Sequence, residues 1–429
     1  MRLVLFDCQT ESRTNFYPVA LCRPIWELRC GMTTLAEKMI AKIGAKDVTG
    51  FVPDYLADVY RAQSAWPINN TESLADEDLL LVNARVKAES FEIAPTGPSQ
   101  VAFDDNGDCL FARIAKEDLS KLITDSIDGL IESASEAFPR YEGEIATWTY
   151  TWDLILDNPE QLITDFAVAG RSGNDGHVEE PSAIRGSRSD VYIGKDASVH
   201  PMVVIDAEHG PVYIDDGAEI HPFTRIEGPC YVGKKSILLG AKCREGNSIG
   251  PVCRIGGEVE ESIIQGYSNK YHDGFLGHAY VGEWVNLGAL TTNSDLKNDY
   301  SDVSVMLDGK HAIDTGSRKV GSLIGDHTKT SIGTLLNTGS YVGAMTLIAG
   351  TGKPLPKFIP SFAWFLEGVV TKGFGKRKLF ETAGIAMGRR GFEWTPALEA
   401  MWEEIFKITA EPRMDAVKKG RRALRAQRS

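Results

Sequence analysis

From Val191 to Ile255, aliphatic side chains recur at six-residue steps: Ile193, Val199 and Ile205 in one run, Ile214, Ile220, Ile226, Val232 and Leu238 in a second, Ile249 and Ile255 in a third. Neither an α-helix nor an alternating strand has this period. A solenoid with three flat sides per turn does, because each side needs one inward aliphatic residue. The spacing therefore predicts a parallel β-helix. The beat falters between Ile255 and Val281, resumes at Val281 and Leu287, and returns at Ile324, Leu336, Val342 and Ile348, with Thr330 in an intermediate slot. Small residues beside these anchors (Ala197, Ala218) and glycines (Gly194, Gly233, Gly282, Gly325, Gly343) mark the expected tight corners.

Ahead of the repeat, residues 1–170 alternate strand-like and helix-like segments, the pattern of an α/β domain. Arg2 to Phe6, Val48 to Phe51 and Asp78 to Val82 read as strands; Thr33 to Ile43, capped by Thr33, and Asp118 to Ala137 read as helices. Residues 171–186 are rich in Gly, Ser, Asn, Asp and Glu and read as a linker. The solenoid is expected over 187–352, where Pro354, Pro356 and Pro360 would stop it. A helical extension follows over 353–429, with Leu398, Met401, Ile405 and Phe406 on one face and Thr395 and Pro396 at its start.

With 43% hydrophobic and 24% charged residues, the composition is that of a globular protein of two or three domains. A net charge of -13 argues against a nucleic-acid partner. The basic run at the end (Lys418, Lys419, Arg421, Arg422, Arg425, Arg428) reads as a solvated, fraying helix. Seven cysteines without metal-ligand spacing read as reduced thiols of a cytoplasmic protein, and no apolar run is long enough to span a bilayer.

Chemistry is expected where the repeat breaks, in SNKYHDGFLGHAYVGEWVNLGALTTNSDLKN, because loops ejected from a solenoid are free to carry reactive side chains. His272 is the candidate base: an imidazole can take a proton from an amine near neutral pH. His278, six residues on, is the alternative imidazole.

The segment His272 to Ala289 (HDGFLGHAYVGEWVNLGA) resembles the acetyltransferase part of the GlmU family, bifunctional enzymes that make UDP-N-acetylglucosamine. The resemblance implies a left-handed β-helix forming a homotrimer, with acetyl-CoA as co-substrate and a sugar phosphate as acceptor. It implies His272 as general base, Asn286 and Asn293 as sugar contacts, Ala289 and Ala349 as acetyl-CoA contacts, and Arg244 as a phosphate ligand. Asn286 and Asn293 can equally be read as ladder or corner asparagines, and Ala289 and Ala349 as small corner residues. Two positions depart from the family: Glu260 stands where it has a phosphate-binding lysine, and Phe275 where it has a tyrosine. A carboxylate there reverses the sign of the Coulomb interaction with phosphate.

The opening, LFDCQTESRTNFYPVALCRPIWELRCGMTTLAEK, resembles a divergent group of GlmU-like sugar nucleotidyltransferases, through an RP-x-x-EL-R-x-G element at Arg23 to Gly31 and TWDLILDN at the domain end. The resemblance implies a nucleotidyltransferase-like α/β domain using Mg²⁺, with Arg13, Arg23 and Arg29 as candidate nucleotide contacts; the metal ligands are unknown. CQTESR replaces the family's glycine-rich phosphate loop, and Asn83 its magnesium-binding aspartate. The leading expectation is acetyl transfer to an amino-sugar phosphate, coupled to a nucleotidyltransferase domain with degenerate motifs. The competing ones are nucleotidyl transfer with a structural solenoid, and a non-catalytic trimer.

Overall fold

The computed structural model describes all residues except 8, 9, 351, 367 and 427–429. Two compact units divide the chain: one holds Met1–Phe16, Cys22–Leu28 and Thr33–Thr149, the other Tyr17–Leu21, Arg29–Met32 and Tyr150–Ser429.

The first unit is built on a five-stranded sheet: β1 (Arg2–Phe6), β2 (Val48–Phe51), β3 (Leu79–Asn83), β4 (Gln100–Phe103) and β5 (Cys109–Ile114), in the order β2-β1-β3-β5-β4. The β1 strand pairs in parallel with β2 and β3, while β5 runs antiparallel to β3 and β4. Helices α1 (Leu35–Ile43), α2 (Asp54–Gln63) and α3 (Ile127–Ala137) accompany it. The α1 cap is Thr34, one residue later than expected, in a capping box with Glu37. The helix expected from Asp118 contracts to α3, preceded by a 3-10 segment over Lys116–Lys121, because Ser126 caps the Gly129 amide and starts the helix there. The hairpin of β4 and β5 and helix α2 were not read from the sequence.

The second unit begins with α4 (Thr151–Ala169) and continues as the expected parallel β-helix. Its first face is a ten-strand stack in which Ile193, Ile214, Val232, Ile249, Ile264, Val281, Ile324, Val342 and Ile359 align in register. The second face aligns Val178, Val199, Ile220, Leu238 and Ile255. The third aligns Ile184, Ile205, Ile226, Cys243, Val259 and Leu276. Every aliphatic anchor of the six-residue pattern is in this buried core.

Three expectations about the solenoid are corrected. Residues 173–186, expected as linker, pair in register on all three faces and form the first coil. The prolines after 352 do not stop the stacking: Phe358–Ile359 and Trp364–Leu366 continue the first and second faces. The ejected segment is 294–321, with a short antiparallel pair at Ser304–Val305 and Ile313–Asp314, whereas the stretch from Ile255 to Val281 stays in register. The beat falters there because the coil is shortened: fifteen residues separate Ile249 from Ile264, against eighteen from Ile214 to Val232.

The corner glycines are needed for close approach rather than for a left-handed backbone. A Cβ on Gly233 would lie 2.7 Å from the backbone of Gly250, and one on Gly343 2.2 Å from that of Ser361 in the next coil. The left-handed corner positions instead carry residues such as Met202, Phe223, Leu290 and His327.

The outward side of the first face is aromatic: Tyr192, Tyr213 and Tyr231 pack with Met32, Leu162 and Phe166. Residues Arg29–Met32 lie on this face as a clamp. The Arg29 amide donates to the Tyr280 hydroxyl at 2.8 Å, the Gly31 amide to Asn158 Oδ1 at 2.7 Å, and the Met32 amide to Asp165 Oδ2 at 2.7 Å. Ser248 donates to the Gly31 carbonyl at 2.7 Å. Gly31 has φ of 78°, and a Cβ there would meet the Gln161 carbonyl carbon at 2.9 Å. Gly31→Ala is therefore expected to lower unfolding free energy by about 2 kcal/mol, read as the midpoint shift in urea; an unchanged midpoint would show that the clamp tolerates the side chain.

The extension forms α5 (Gly375–Gly388), α6 (Pro396–Ile408) and α7 (Ala410–Ala426). Thr395 caps α6 through the Leu398 amide, as expected. The basic run lies on α7, with Arg428 outside the described residues. Among the described residues no helix is long and apolar enough to cross a membrane. Burial pushes the Cys109, Cys243 and Cys253 thiols up to about 12, which leaves them unreactive near neutral pH.

Candidate functional site

A cleft of about 770 Å³ in the second unit brings His272, Asn286 and Ala289 together with side chains of α5. Its floor is the outward column of the second face, where Arg254, Asn269, Asn286 and Lys329 sit on successive rungs. His272 and Ala289 lie on the corners that follow Asn269 and Asn286. On the opposite side α5 contributes Thr382, Ile385 and Ala386, and Arg389 and Arg390 follow at its end.

The His272 ring is exposed and makes no hydrogen bond among the described residues, so both nitrogens are available to a ligand. Its corner is held from beneath by a residue that sequence reasoning missed. Lys270 occupies an inward position, in register with Ile255, and is 4% exposed. Its ammonium donates to the carbonyls of Gly256 at 2.9 Å and His272 at 2.7 Å. Burial pushes this lysine down to about 8, the nearby Asp273 carboxylate opposing only in part. Because the folded-state value is below the ordinary 10.5, the lysine penalises folding below pH 8, and the penalty fades as pH rises toward 10.5. Lys270→Met is expected to raise unfolding free energy at pH 7 by up to about 3 kcal/mol while reducing turnover. Equal turnover in the variant would deny Lys270 any part in positioning His272. The missing aliphatic at this slot was the available signal. Thr330, the other polar residue in the column, is satisfied by the Gly288 amide at 2.9 Å and the Thr291 hydroxyl at 2.8 Å.

Asn286 is exposed; its Oδ1 accepts from Asn269 Nδ2 at 3.1 Å, leaving its own amide N–H groups toward the cleft. Asn269 in turn accepts from Arg390 at 2.6 Å, and the other end of that guanidinium reaches the Val252 carbonyl. Lys329, also pushed down to about 8 by burial, donates to the carbonyls of Trp284 and His327.

The remaining candidates are elsewhere. Asn293 points inward, 3% exposed, its amide closing a reciprocal pair with the Gly277 backbone at 2.8 Å in both directions. It is a ladder asparagine rather than a sugar contact. Ala349 is exposed at the end of a second-face strand and does not line the cleft. Arg244 is held by Glu260 at 2.7 Å, and Glu260, 5% exposed, also binds Lys319 at 3.2 Å. The carboxylate of Glu260 thus pairs with both of these cations. His278 is 2% exposed, with Nδ1 2.9 Å from Asp295 and Nε2 3.1 Å from Glu261. Burial opposes its charge, but the two carboxylates outweigh burial and hold it up to about 9. Both nitrogens are engaged, so His278 serves structure and not proton transfer.

In the first unit, a cavity of about 400 Å³ opens at the carboxyl ends of β1 and β2, lined by Asp7, Asp54, Asn69 and Asp125 among others. Ligands of open α/β sheets bind at such ends. The expected nucleotide contacts do not reach it. Arg13 is 1% exposed, lies 3.6 Å from Asp7 and donates to the Arg23 carbonyl at 3.0 Å; Arg23 is 4% exposed. Arg29 belongs to the clamp, its guanidinium bonded to the Met32 carbonyl and 5.5 Å above the Tyr231 ring. Asn83 donates to the Cys109 carbonyl and accepts from the Arg85 amide, and the Arg85 guanidinium bridges Asp104 and Asp108. Among the described residues the only grouping of three potential metal ligands is Glu245, Glu260 and Glu261, on the solenoid. Asn83 is thus held by its own neighbours, while the carboxylates of Asp7, Asp54 and Asp125 line the cavity; Cys8 and Gln9 of the replaced loop lie outside the described residues.

Residues 3–172 match the model of a family described as sugar nucleotidyl transferase. Among curated proteins, a bifunctional sugar-1-phosphate nucleotidylyltransferase/acetyltransferase of Sulfurisphaera tokodaii is 37% identical over 91 residues, 21% of this chain and 22% of that protein. Bifunctional GlmU proteins of Rippkaea orientalis and Synechococcus elongatus are 31% identical over 144 residues and 28% over 210, covering 33% and 48% of this chain and 30% and 40% of theirs. The chain is thus similar to these bifunctional proteins in part, matching between about a fifth and two fifths of their length. A Francisella novicida UDP-N-acetylglucosamine acyltransferase structure aligns at 16% identity with a TM-score of 0.29, over 55% of this chain and 74% of that one.

Proposed function

We propose that the solenoid cleft transfers an acetyl group from acetyl-CoA to the amino group of a sugar, with His272 as general base. The convergence of His272, Asn286 and Ala289 on one cleft carries this reading. The neutral amine attacks the thioester carbonyl carbon; the imidazole takes the proton that nitrogen sheds as the N–C bond forms, and returns it to the departing thiolate when the tetrahedral intermediate collapses and the C–S bond breaks. Asn286 offers its amide to a hydroxyl of the acceptor. Arg244 and Asn293 are committed to internal contacts, so a phosphate on the acceptor would need other partners.

The first unit is proposed to keep the nucleotidyltransferase sheet without its metal-dependent reaction, since Asn83 stands where the family has its magnesium-binding aspartate and brings no charge to a cation. The family match over residues 3–172 favours the second reading, sugar-1-phosphate nucleotidyl transfer. Full-length protein given acetyl-CoA and amino-sugar phosphates should release free thiol. Pyrophosphate release from UTP or TTP with a sugar phosphate, without thiol release, would favour the second reading instead.

A homotrimer is proposed as well. The corner carrying His272 also presents Met202, Phe223, Leu290 and Ile332, between 52% and 75% exposed, as a ridge along the solenoid. Such a ridge suits burial against further copies of the chain.

A further inference from the structure

Three successive corners at the start of the solenoid carry matched polar side chains. Glu179, His200 and His221 each follow the inward residue of a second-face rung, and those residues, Val178, Val199 and Ile220, pair in register. Their amides form one ladder: Glu179 donates to the Val199 carbonyl at 2.8 Å, His200 to that of Ile220 at 2.9 Å and His221 to that of Leu238 at 2.8 Å. Pro201 and Pro222 follow the two histidines, and a residue that precedes proline is biased to extended backbone. The scaffold thus fixes the imidazoles one coil apart. Their rings stack with centroids 4.9 Å apart and planes inclined by 20°.

Each ring also faces a carboxylate. His200 Nδ1 lies 3.4 Å from Glu179, and His221 Nε2 lies 3.5 Å from Glu219. Both separations exceed an ordinary N–H···O bond. They match a different geometry: two donors bound at about 2.0–2.2 Å to one tetrahedral ion stand about 3.4 Å apart. Among the described residues Glu179 and Glu219 pair with no lysine or arginine, so their charge is left for a dication to neutralise. The tighter carboxylate grouping of Glu245, Glu260 and Glu261 differs, because Arg244, Lys319 and His278 already sit on it. Imidazole with carboxylate suits a first-row transition ion, whereas magnesium and calcium prefer oxygen donors alone.

We infer that Glu179, His200 and His221 bind a divalent transition-metal ion of the zinc type, with Glu219 as the outer carboxylate that orients His221. His200 and Glu179 already stand at ligand spacing. Tilting of the two partly exposed rings toward one another brings in His221 through Nδ1, the nitrogen that Glu219 leaves free, and water completes the tetrahedron. The ligands come from the first, second and third coils, so the ion staples the beginning of the solenoid. All three sheets end on the first coil, whose inward Val178 and Ile184 are only partly buried, and a staple there holds the least buried rung. The site is independent of the acetyl-transfer reading.

Calorimetric titration of the metal-free, full-length chain with zinc chloride tests the site. Wild type should bind one ion per chain and gain Tm. The double variant H200Q/H221Q, and separately Glu179→Gln, should bind at least tenfold more weakly with an unchanged metal-free Tm, and magnesium chloride should give no saturable heat. Hydrogen exchange over residues 173–186 should slow in wild type when zinc is added. The site is overturned by an absence of saturable zinc binding, by equal affinity in the double variant, or by magnesium binding as tightly as zinc. Zinc binding lost in His272→Ala but kept in the double variant would place the ion in the cleft and overturn it too. Unchanged exchange over 173–186 in zinc-loaded wild type overturns the stapling role.

Discussion

His272→Ala is expected to lower acetyl-CoA turnover by about 10²- to 10⁴-fold, the range a positioned general base supplies. KM for acetyl-CoA and Tm should change little, because the ring is exposed and makes no hydrogen bond among the described residues. Free-thiol release at saturating acceptor reads the first quantity and thermal unfolding the second. Undiminished thiol release would move the base elsewhere. His278 would not inherit the role, since both its nitrogens are held by carboxylates.

His278→Leu should instead act on stability. Removing the imidazolium leaves Glu261 and Asp295 facing one another beside the core, and breaking a buried ion pair by deleting one partner costs about 3–5 kcal/mol. Urea unfolding would show this as a large midpoint shift. The sign with pH follows from the same geometry. The folded-state value of about 9 lies above the ordinary 6.5, so the contribution is complete below pH 6.5 and is lost as pH rises through 9. The gap between parent and variant should therefore narrow over that interval. A variant as stable as the parent at pH 6 would dismiss the triad.

The solenoid was legible because its physics is repetitive: each face needs one apolar residue per coil, and the chain declares that need at a fixed interval. Legibility failed where the repeat was kept by other means. Lys270 fills an aliphatic slot by sending its ammonium to corner carbonyls, and the coil before it is shortened, so a register-true stretch looked like an ejected loop. Residues 173–186 lack aliphatic density yet pair on all three faces, because parallel bonding to the second coil supplies what composition does not. Site residues divided along similar lines. His272, Asn286 and Ala289 lie close together in sequence, so local resemblance was enough to find them. Asn293 and Arg244 are taken up by partners one coil away, Gly277 and Glu260, and a motif match does not show which polar atoms are already bonded. Arg389 and Arg390 come from a helix end about a hundred residues further along, and no motif announced them.

The floor from Arg254 to Lys329 is made of four successive rungs, and neighbouring strands are spaced by about 4.8 Å. Distance along this surface is consequently graduated, like the marks on a ruler. Inserting or deleting one coil between Arg254 and Asn286 would displace Arg254 from the His272 corner by a whole mark, and no smaller adjustment is open to the stacked strands.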